Sequence, residues 1–199
     1  MVQALLQDRK SQTRRTKGLN YINENPDNWT IEYLDSIWAH GKDFEIKELK
    51  PIYEIGDILW VRETFSLGTL ENGIHSGFRY KADNPEFNVI WKPSLFMPKE
   101  AARLFLKVTN VRVERLQDIT EVDAIAEGIT PLKMSASQLI IEKQKFFDYS
   151  KPKQLFSDGL PPFWSFNSLW CSINGSESWE SNPWVWVIEF EKVEKPENF

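Results

Sequence analysis

The sequence has one cysteine, Cys171, and two histidines, His40 and His75, in 199 residues. A single thiol makes no internal disulfide, and with only two imidazoles beside it there is no set of soft ligands for a structural zinc. No metal and no other cofactor is expected. No run approaches the roughly 18 apolar residues of a membrane span, and the amino terminus lacks the basic-then-apolar layout of a secretory signal. The expectation is a soluble, cytoplasmic protein with no membrane partner. There is no basic excess either, since the formal net charge is −5. Proteins that hold nucleic acid chiefly by neutralising phosphates carry such an excess, because their affinity comes from lysine and arginine displacing counterions. Any nucleic-acid contact here is therefore local, on the basic segment 9–17, and a small uncharged ligand such as a nucleoside suits the overall charge. Internal repeats, low-complexity segments and a phosphate-cradling glycine loop are also missing.

What is present is an ordinary globular composition, 41% hydrophobic and 27% charged, long enough for one good core and read as one domain over residues 1–199. Its most informative stretch is the start. After a short apolar helix at residues 2–6, Lys10, Thr13 and Arg15 form the pattern K-x-x-T-x-R. The pattern puts an ammonium, a hydroxyl and a guanidinium within reach of one point. A lysine with a depressed pKa is a base, threonine is a nucleophile, and arginine clamps carbonyls, carboxylates and phosphates. By itself, the run Arg9, Lys10, Arg14, Arg15, Lys17 also reads as a solvated basic face.

Gly18 breaks the chain, and residues 20–28, rich in Asn with Pro26 and Asp27, read as loop. Ile31, Leu34, Ile37 and Trp38 recur at helical spacing with Gly41 as a stop, which predicts a short helix. Strands follow. Residues 54–57 form a turn, and residues 58–63 predict a buried strand ending in charge. Gly68, Gly73 and Gly77 punctuate a mobile loop or loose hairpin. Over residues 103–115, Leu104, Leu106 and Val108 alternate with polar residues while Val111 and Val113 fall on the opposite parity. A one-residue bulge or a sharp bend near Thr109-Asn110 would return both sets to one face. In residues 184–191, Trp184, Trp186, Ile188 and Phe190 share one face and Val185 and Val187 the other, as in a strand central at its start and half-exposed at its end.

Helix boundaries are also marked. Thr120 with Asp123 makes a capping box, Val122, Ala126 and Ile129 line one side, and Gly128 is the stop. Glu127 sits in that last turn, facing the negative end of the helix dipole, which pushes a carboxyl pKa upward. Its placement reads equally as a surface residue or a functional one. Ser135 and Gln138 form a second capping box ahead of a helix carrying Leu139, Ile140, Phe146 and Phe147. A Lys/Pro-rich segment, residues 151–162, leads to a last helix in which Phe163, Phe166, Trp170 and Ile173 form a core face between Pro161-Pro162 and Gly175. Cys171 lies in that pattern as a buried, inert thiol. The tryptophans sit mostly in apolar patterns of this kind, so they read as packing rather than base-stacking platforms.

Four of these segments together carry a resemblance: the opening motif, Gly56-Asp57-Ile58-Leu59-Trp60-Val61, Thr120-Glu121-Val122-Asp123-Ala124-Ile125-Ala126-Glu127 and Val187-Ile188-Glu189-Phe190. In this order they resemble the ASCH domain, a member of the PUA-like superfamily. The longer form, with Trp91-Lys92-Pro93-Ser94 and Asn182-Pro183-Trp184-Val185-Trp186-Val187, is similar to a branch met in bacteriophages and prophages. The resemblance implies an α+β fold, a small curled PUA-like β-barrel flanked by helices, with insertions at about residues 18–50 and 130–162. It implies a cleft with the opening motif on one wall. A short bacterial ASCH enzyme hydrolyses the amide of N4-acetylcytidine, and its lysine, threonine and glutamate align with Lys10, Thr13 and Glu127, while Arg15 matches the motif's arginine. The family motif opens with glycine where this chain has Asp8.

The implied chemistry is amide hydrolysis of an N4-acylated cytidine. Lys10, its pKa lowered from about 10.4 toward roughly 7 to 8 by burial and by Arg15, takes a proton from Thr13. Thr13 then attacks the acetyl carbonyl, or water attacks directly while Thr13 orients the amide. Glu127, its pKa raised by burial and the helix end, protonates the leaving amine or holds the cytosine edge. Arg62, Glu63 and Tyr80 are expected on the far wall as substrate contacts. The alternative is a non-catalytic module binding RNA or a modified base, with Arg15 and Arg62 on phosphate or base edges; a ribonuclease is a third reading. The partner in either case is a nucleoside or RNA in a local cleft.

Overall fold

The computed structural model describes residues 2–69, 75–83, 85, 86, 88–151, 159–197 and 199. In chain order its elements are α1 (Val2–Leu6), β1 (Gln12–Arg15), α2 (Asn20–Asn23), β2 (Trp29–Tyr33), β3 (Ile37–Gly41), β4 (Ile46–Leu49), β5 (Ile58–Trp60), β6 (Phe65–Thr69), β7 (His75–Tyr80), β8 (Phe105–Arg115), α3 (Glu121–Ala126), α4 (Ala136–Ile141), α5 (Pro162–Asn174), α6 (Ser176–Glu180) and β9 (Trp184–Val193), with short 3-10 turns between. Gly73 and residues 152–158 of the Lys/Pro-rich segment lie outside the described residues.

The fold is α+β with antiparallel sheets. The main sheet has the order β1-β9-β8-β5, and two smaller ones are β2-β3-β4 and the β6-β7 hairpin. Among the described residues none of the three sheets closes into a barrel.

The main sheet is organised by its two long, apolar strands. β8 pairs with β9 along its length, with a register shift between Val108 and Asn110. The extra residue, Thr109, reverses the side-chain parity, so Val108, Val111 and Val113 all face the same core. β9 lies between two strands and is covered on both sides. Trp186 and Ile188 pack into a core with Leu19, Ile22, Trp29 and Ala39, while Val185 and Val187 pack under α3 and α5 against Ala124, Phe166 and Trp170. Its last residues, Glu191 and Lys192, are exposed. β1 is an edge strand, so one side of its backbone has no neighbouring strand.

Several sequence expectations are corrected. Residues 31–38 form no helix; β2 and β3 are a hairpin with Ile31 opposite Ala39. Alternation wins there because Trp29 and Ile31 on β2, and Ile37 and Ala39 on β3, pack into the core at period two, and the β-branched and aromatic residues Trp29, Thr30, Ile31 and Tyr33 suit a pleated surface. Part of the expected loop 20–28 is the short helix α2, which buries Ile22. The strand expected over residues 58–63 stops at Trp60 and is a half-buried edge rather than fully buried, with Ile58 42% accessible and Leu59 and Trp60 partly buried. In α3, Val122 is solvent-exposed and Ala124 is the buried residue. α4 begins with the expected Ser135–Gln138 capping box but ends at Ile141. Phe146 instead lies in extended backbone bridged to Pro131 and Leu160. α5 runs from Pro162 to a stop at Gly175 and buries Phe166 and Trp170, yet Ile173 is exposed and Cys171 only half-buried. No helix among the described residues is long and apolar enough to cross a membrane.

Candidate functional site

The chain that leaves α1 is clamped onto the end of α3. Its turn is set by Asp8, which takes φ +53°, a left-handed conformation that favours glycine and that aspartate tolerates; this is the position where the motif of the resemblance carries glycine. The amides of Arg9 and Lys10 both donate to the carbonyl of Ala4. The Arg9 guanidinium donates to the carbonyls of Gly128 (2.9 Å) and Ile129 (3.0 Å), and the Ser11 amide donates to the carbonyl of Ala126 (2.9 Å). Lys10 and Glu127 thereby pair as an isolated antiparallel bridge.

α3 ends where it does for local reasons. Thr120 caps its first turn by accepting from the Asp123 amide (3.1 Å), and Gly128, at φ +83°, terminates it. A Cβ on Gly128 would lie 2.7 Å from that of Lys10 and 2.9 Å from that of Ala4. The glycine is what allows α1, Lys10 and the end of α3 to meet.

At the junction the Lys10 ammonium donates to Glu127 Oε2 (2.8 Å) and to the Glu127 carbonyl (2.8 Å). A cation on the last carbonyls of a helix is favourably placed. Both side chains are 6% accessible. Burial pushes the Lys10 pKa below its ordinary value, and Glu127 opposes that only in part, while Arg15 and Arg14 add to it.

Glu127 Oε1 in turn accepts from Arg14 (3.2 Å). Arg14 is fully buried and also pairs with Glu114, with Asp123 3.8 Å away. Arg112 bonds Glu114 (3.0 Å) and Glu189 and stands 3.4 Å from Asp123. Gln12, with its amide nitrogen turned to Asp123, donates there (3.0 Å) and accepts from Arg14 (2.6 Å). Burial works against the Asp123 charge, but the Thr120 hydrogen bond and the two arginines outweigh it and hold its carboxyl below the ordinary range. Cross-strand register explains the layer: Arg14, Val187 and Arg112 stand in one row of the sheet.

A cavity of about 280 Å³ opens along the free edge of β1, close to the lower end of the roughly 300–1,000 Å³ common for small-molecule sites. Lys10, Thr13, Arg15 and Glu127 line one side, and Phe166 and Trp170 of α5 the other. Thr13 and Arg15 point to the face of β1 opposite Arg14, and all three reach the cavity because no strand covers that edge. The Thr13 hydroxyl is buried and has no hydrogen-bond partner among the described residues; it makes no bond to Lys10. Arg15 is exposed at the rim, its guanidinium donating to the Arg14 carbonyl (3.0 Å). The basic segment is thus a solvated face only in part: Lys10 and Arg14 are buried, while Arg15 and Lys17 are exposed.

Arg62, Glu63 and Tyr80 are not part of this cavity. Glu63 is buried and bonds Arg103 through both oxygens (2.8 and 2.9 Å). Arg103 stacks on the Tyr80 ring at 3.8 Å and also donates to Asp83, and the hydrogen bonds it donates to Glu63 foremost hold its pKa above the ordinary value. Tyr80 donates to the Ala101 carbonyl (2.6 Å), and Arg62 lies over Trp60 and donates to the Leu95 carbonyl (3.3 Å). These residues tie β5, β6 and β7 to the start of β8.

The residues that sequence reasoning missed are Arg14, Gln12, Glu114 and Arg112. Strand parity would place Gln12 and Arg14 together, but charged residues at alternating positions read as the wet face. Among the described residues no group of three or more His, Cys, Asp or Glu side chains is arranged to hold a metal. No protein-family model, curated protein or solved structure matches the chain.

Proposed function

We propose that the protein is an ASCH-type member of the PUA-like superfamily that hydrolyses the amide of an N4-acylated cytidine in the cavity beside β1. The observation that carries this reading is the convergence of Lys10 and Thr13 with Glu127, 117 residues from Lys10 in the sequence, on one cavity with an aromatic far wall. The four-stranded sheet with its bulge and the positive φ of Asp8 at the motif's glycine position support the family reading.

In this account the base lies between Phe166 and Trp170 on one side and the edge of β1 on the other. Lys10 is the general base: its lowered pKa supplies a neutral amine nearer neutral pH than an exposed lysine does. Because Thr13 makes no hydrogen bond to Lys10, direct attack by water is the favoured route, with the Thr13 hydroxyl donating to the acyl oxygen. Water adds to the carbonyl carbon as Lys10 takes one of its protons; the C–N bond then breaks, that proton passes to the departing exocyclic nitrogen to give cytidine, and the carboxylic acid formed releases the second proton of the water to solvent as it leaves as carboxylate. Glu127 accepts a hydrogen bond from the Lys10 amine and orients it toward the carbonyl. Purified protein incubated with N4-acetylcytidine releases cytidine, and Lys10→Ala, Thr13→Ala and Glu127→Ala each abolish release while remaining folded. Retained activity in all three removes the assignment.

A second reading, RNA or modified-base binding without turnover, is favoured by one observation: Arg15 stands exposed at the rim without a carboxylate partner among the described residues. Phosphate contact by Arg15 makes binding fall steeply with salt, whereas hydrolysis of a neutral nucleoside hardly responds.

A further inference from the structure

Arg14 occupies a position that its surroundings do not require for packing alone. Its side chain is wholly inaccessible, lies 5.6 Å from the Phe166 ring centroid and spends its two terminal nitrogens on Glu127 and Glu114. Burying a guanidinium is costly unless several acceptors surround it, and here three come from two elements: Glu127 at the end of α3, Asp123 within α3 and Glu114 on β8. A hydrophobic residue would pack against Val187 and Phe166 at less cost. What the arginine adds is a fixed fork on Glu127.

We propose that Arg14 is the positioning residue of this site, holding Glu127 Oε1 so that Oε2 is presented to Lys10 in one orientation. The inference rests on the hydrolytic reading of the Lys10, Thr13 and Glu127 site. Lys10 takes the carboxylate from one side and Arg14 from the other, and Arg14 is anchored behind by Glu114 and Asp123, which Arg112 braces to Glu189. The carboxylate cannot rotate without breaking one of these bonds. The groups facing Lys10 are Arg9, Arg14 and Arg15 from its own segment, Glu127 from the end of α3 and the Tyr149 phenol; α5 offers the cavity only Phe166, Leu169, Trp170, Ile173 and Asn174, none of them titratable. Arg14 is thus a like charge close to Lys10 as well as a rival for its carboxylate.

Two variants test this, Arg14→Gln and Arg14→Lys, each read in two ways. The first readout follows the ε-carbon of Lys10 by NMR titration in protein carrying ¹³C-labelled lysine, the resonance being identified by its absence from Lys10→Met. Arg14→Gln raises the Lys10 midpoint by roughly half a pH unit or more, because a like charge is removed and Glu127 is left to Lys10 alone. Arg14→Lys keeps the charge but loses the fork and raises it less. The second readout is cytidine release, in which kcat falls by about tenfold or more while KM stays within about twofold, the mark of misplaced chemistry rather than lost binding. If Arg14→Gln fails to fold, Arg14→Lys decides alone. A folded variant with both the Lys10 midpoint and kcat unchanged overturns the proposal. If wild-type protein releases no cytidine, the hydrolytic reading fails, and the titration still decides separately whether Arg14 governs the Lys10–Glu127 pair.

Discussion

Lys10 and Glu127 meet twice, through the side-chain carboxylate at 2.8 Å and through the main-chain carbonyl at 2.8 Å. Contact through both groups joins the position of a buried amine to the end of a helix, so stability and the proposed turnover depend on the same proton. In the unfolded chain Lys10 titrates near 10.5, and in the folded protein at a lower pH. Between those two values the unfolded chain binds more protons, so the Lys10 contribution to stability rises with pH across that window. Urea unfolding at several alkaline pH values, compared between wild type and Lys10→Met, should give a difference that grows in favour of wild type up to about pH 10.5. Turnover should rise with pH through the same lowered midpoint, since the base acts as the neutral amine.

Thr13→Val separates activity from stability. The Thr13 hydroxyl has no hydrogen-bond partner among the described residues, so replacing it with a methyl group breaks no hydrogen bond within the described chain. Valine has the same shape and suits β1, so the variant should unfold at equal or higher urea concentration than wild type. Release of cytidine should nevertheless be lost. A variant that is both less stable and fully active would remove Thr13 from the chemistry.

Gly128→Ala should damage both. The residue sits at φ +83° and a Cβ would strike those of Lys10 and Ala4 at 2.7 and 2.9 Å. Left-handed backbone and overpacking together cost roughly 2–4 kcal/mol, measured as a lower denaturation midpoint. Relief of the clash moves Lys10 away from Glu127, so turnover should fall with it.

Glu63→Ala should do the reverse of Thr13→Val. Glu63 is 1% accessible and holds Arg103 through both oxygens, so its loss should cost about 2–3 kcal/mol, discounted because Arg103 is partly exposed and keeps Asp83. Turnover by the folded fraction should be unchanged, since none of these residues lines the cavity. A clear loss of turnover would return Glu63 to the substrate side.

Where one pattern dominated its neighbourhood, the fold could be read from the sequence. The parity reversal at Val108 and Val111 has no solution in a regular strand except an extra residue, and Thr109 is that residue. The two faces of β9, the Thr120 and Ser135 caps and the proline-to-glycine span of α5 rest on equally local physics. The β2-β3 hairpin was hidden because Ile31, Leu34, Ile37 and Trp38 fit a helical period by coincidence, and only the distant core that receives Trp29 and Ala39 decides between the two periods. The edge character of β5 depends on which strand is its neighbour, which its own residues do not encode.

The site divides in the same way. Lys10, Thr13, Arg15 and Glu127, singled out by motif spacing and helix-end position, are brought to one cavity. Arg62, Glu63 and Tyr80 were chosen only for lying in or beside strands, and long-range partners such as Arg103 claim them instead. Arg14 was overlooked because its burial depends on three acceptors from α3 and β8, more than 100 residues away in the case of Glu127, and nothing within β1 announces them.

The central claim, hydrolysis by the Lys10 site, is tested most directly by following cytidine release from N4-acetylcytidine at low and high salt, with wild type and Lys10→Ala side by side. The account predicts release by wild type that hardly changes with salt and is absent from a folded Lys10→Ala. No release by folded wild type, or equal release by the variant, would contradict it.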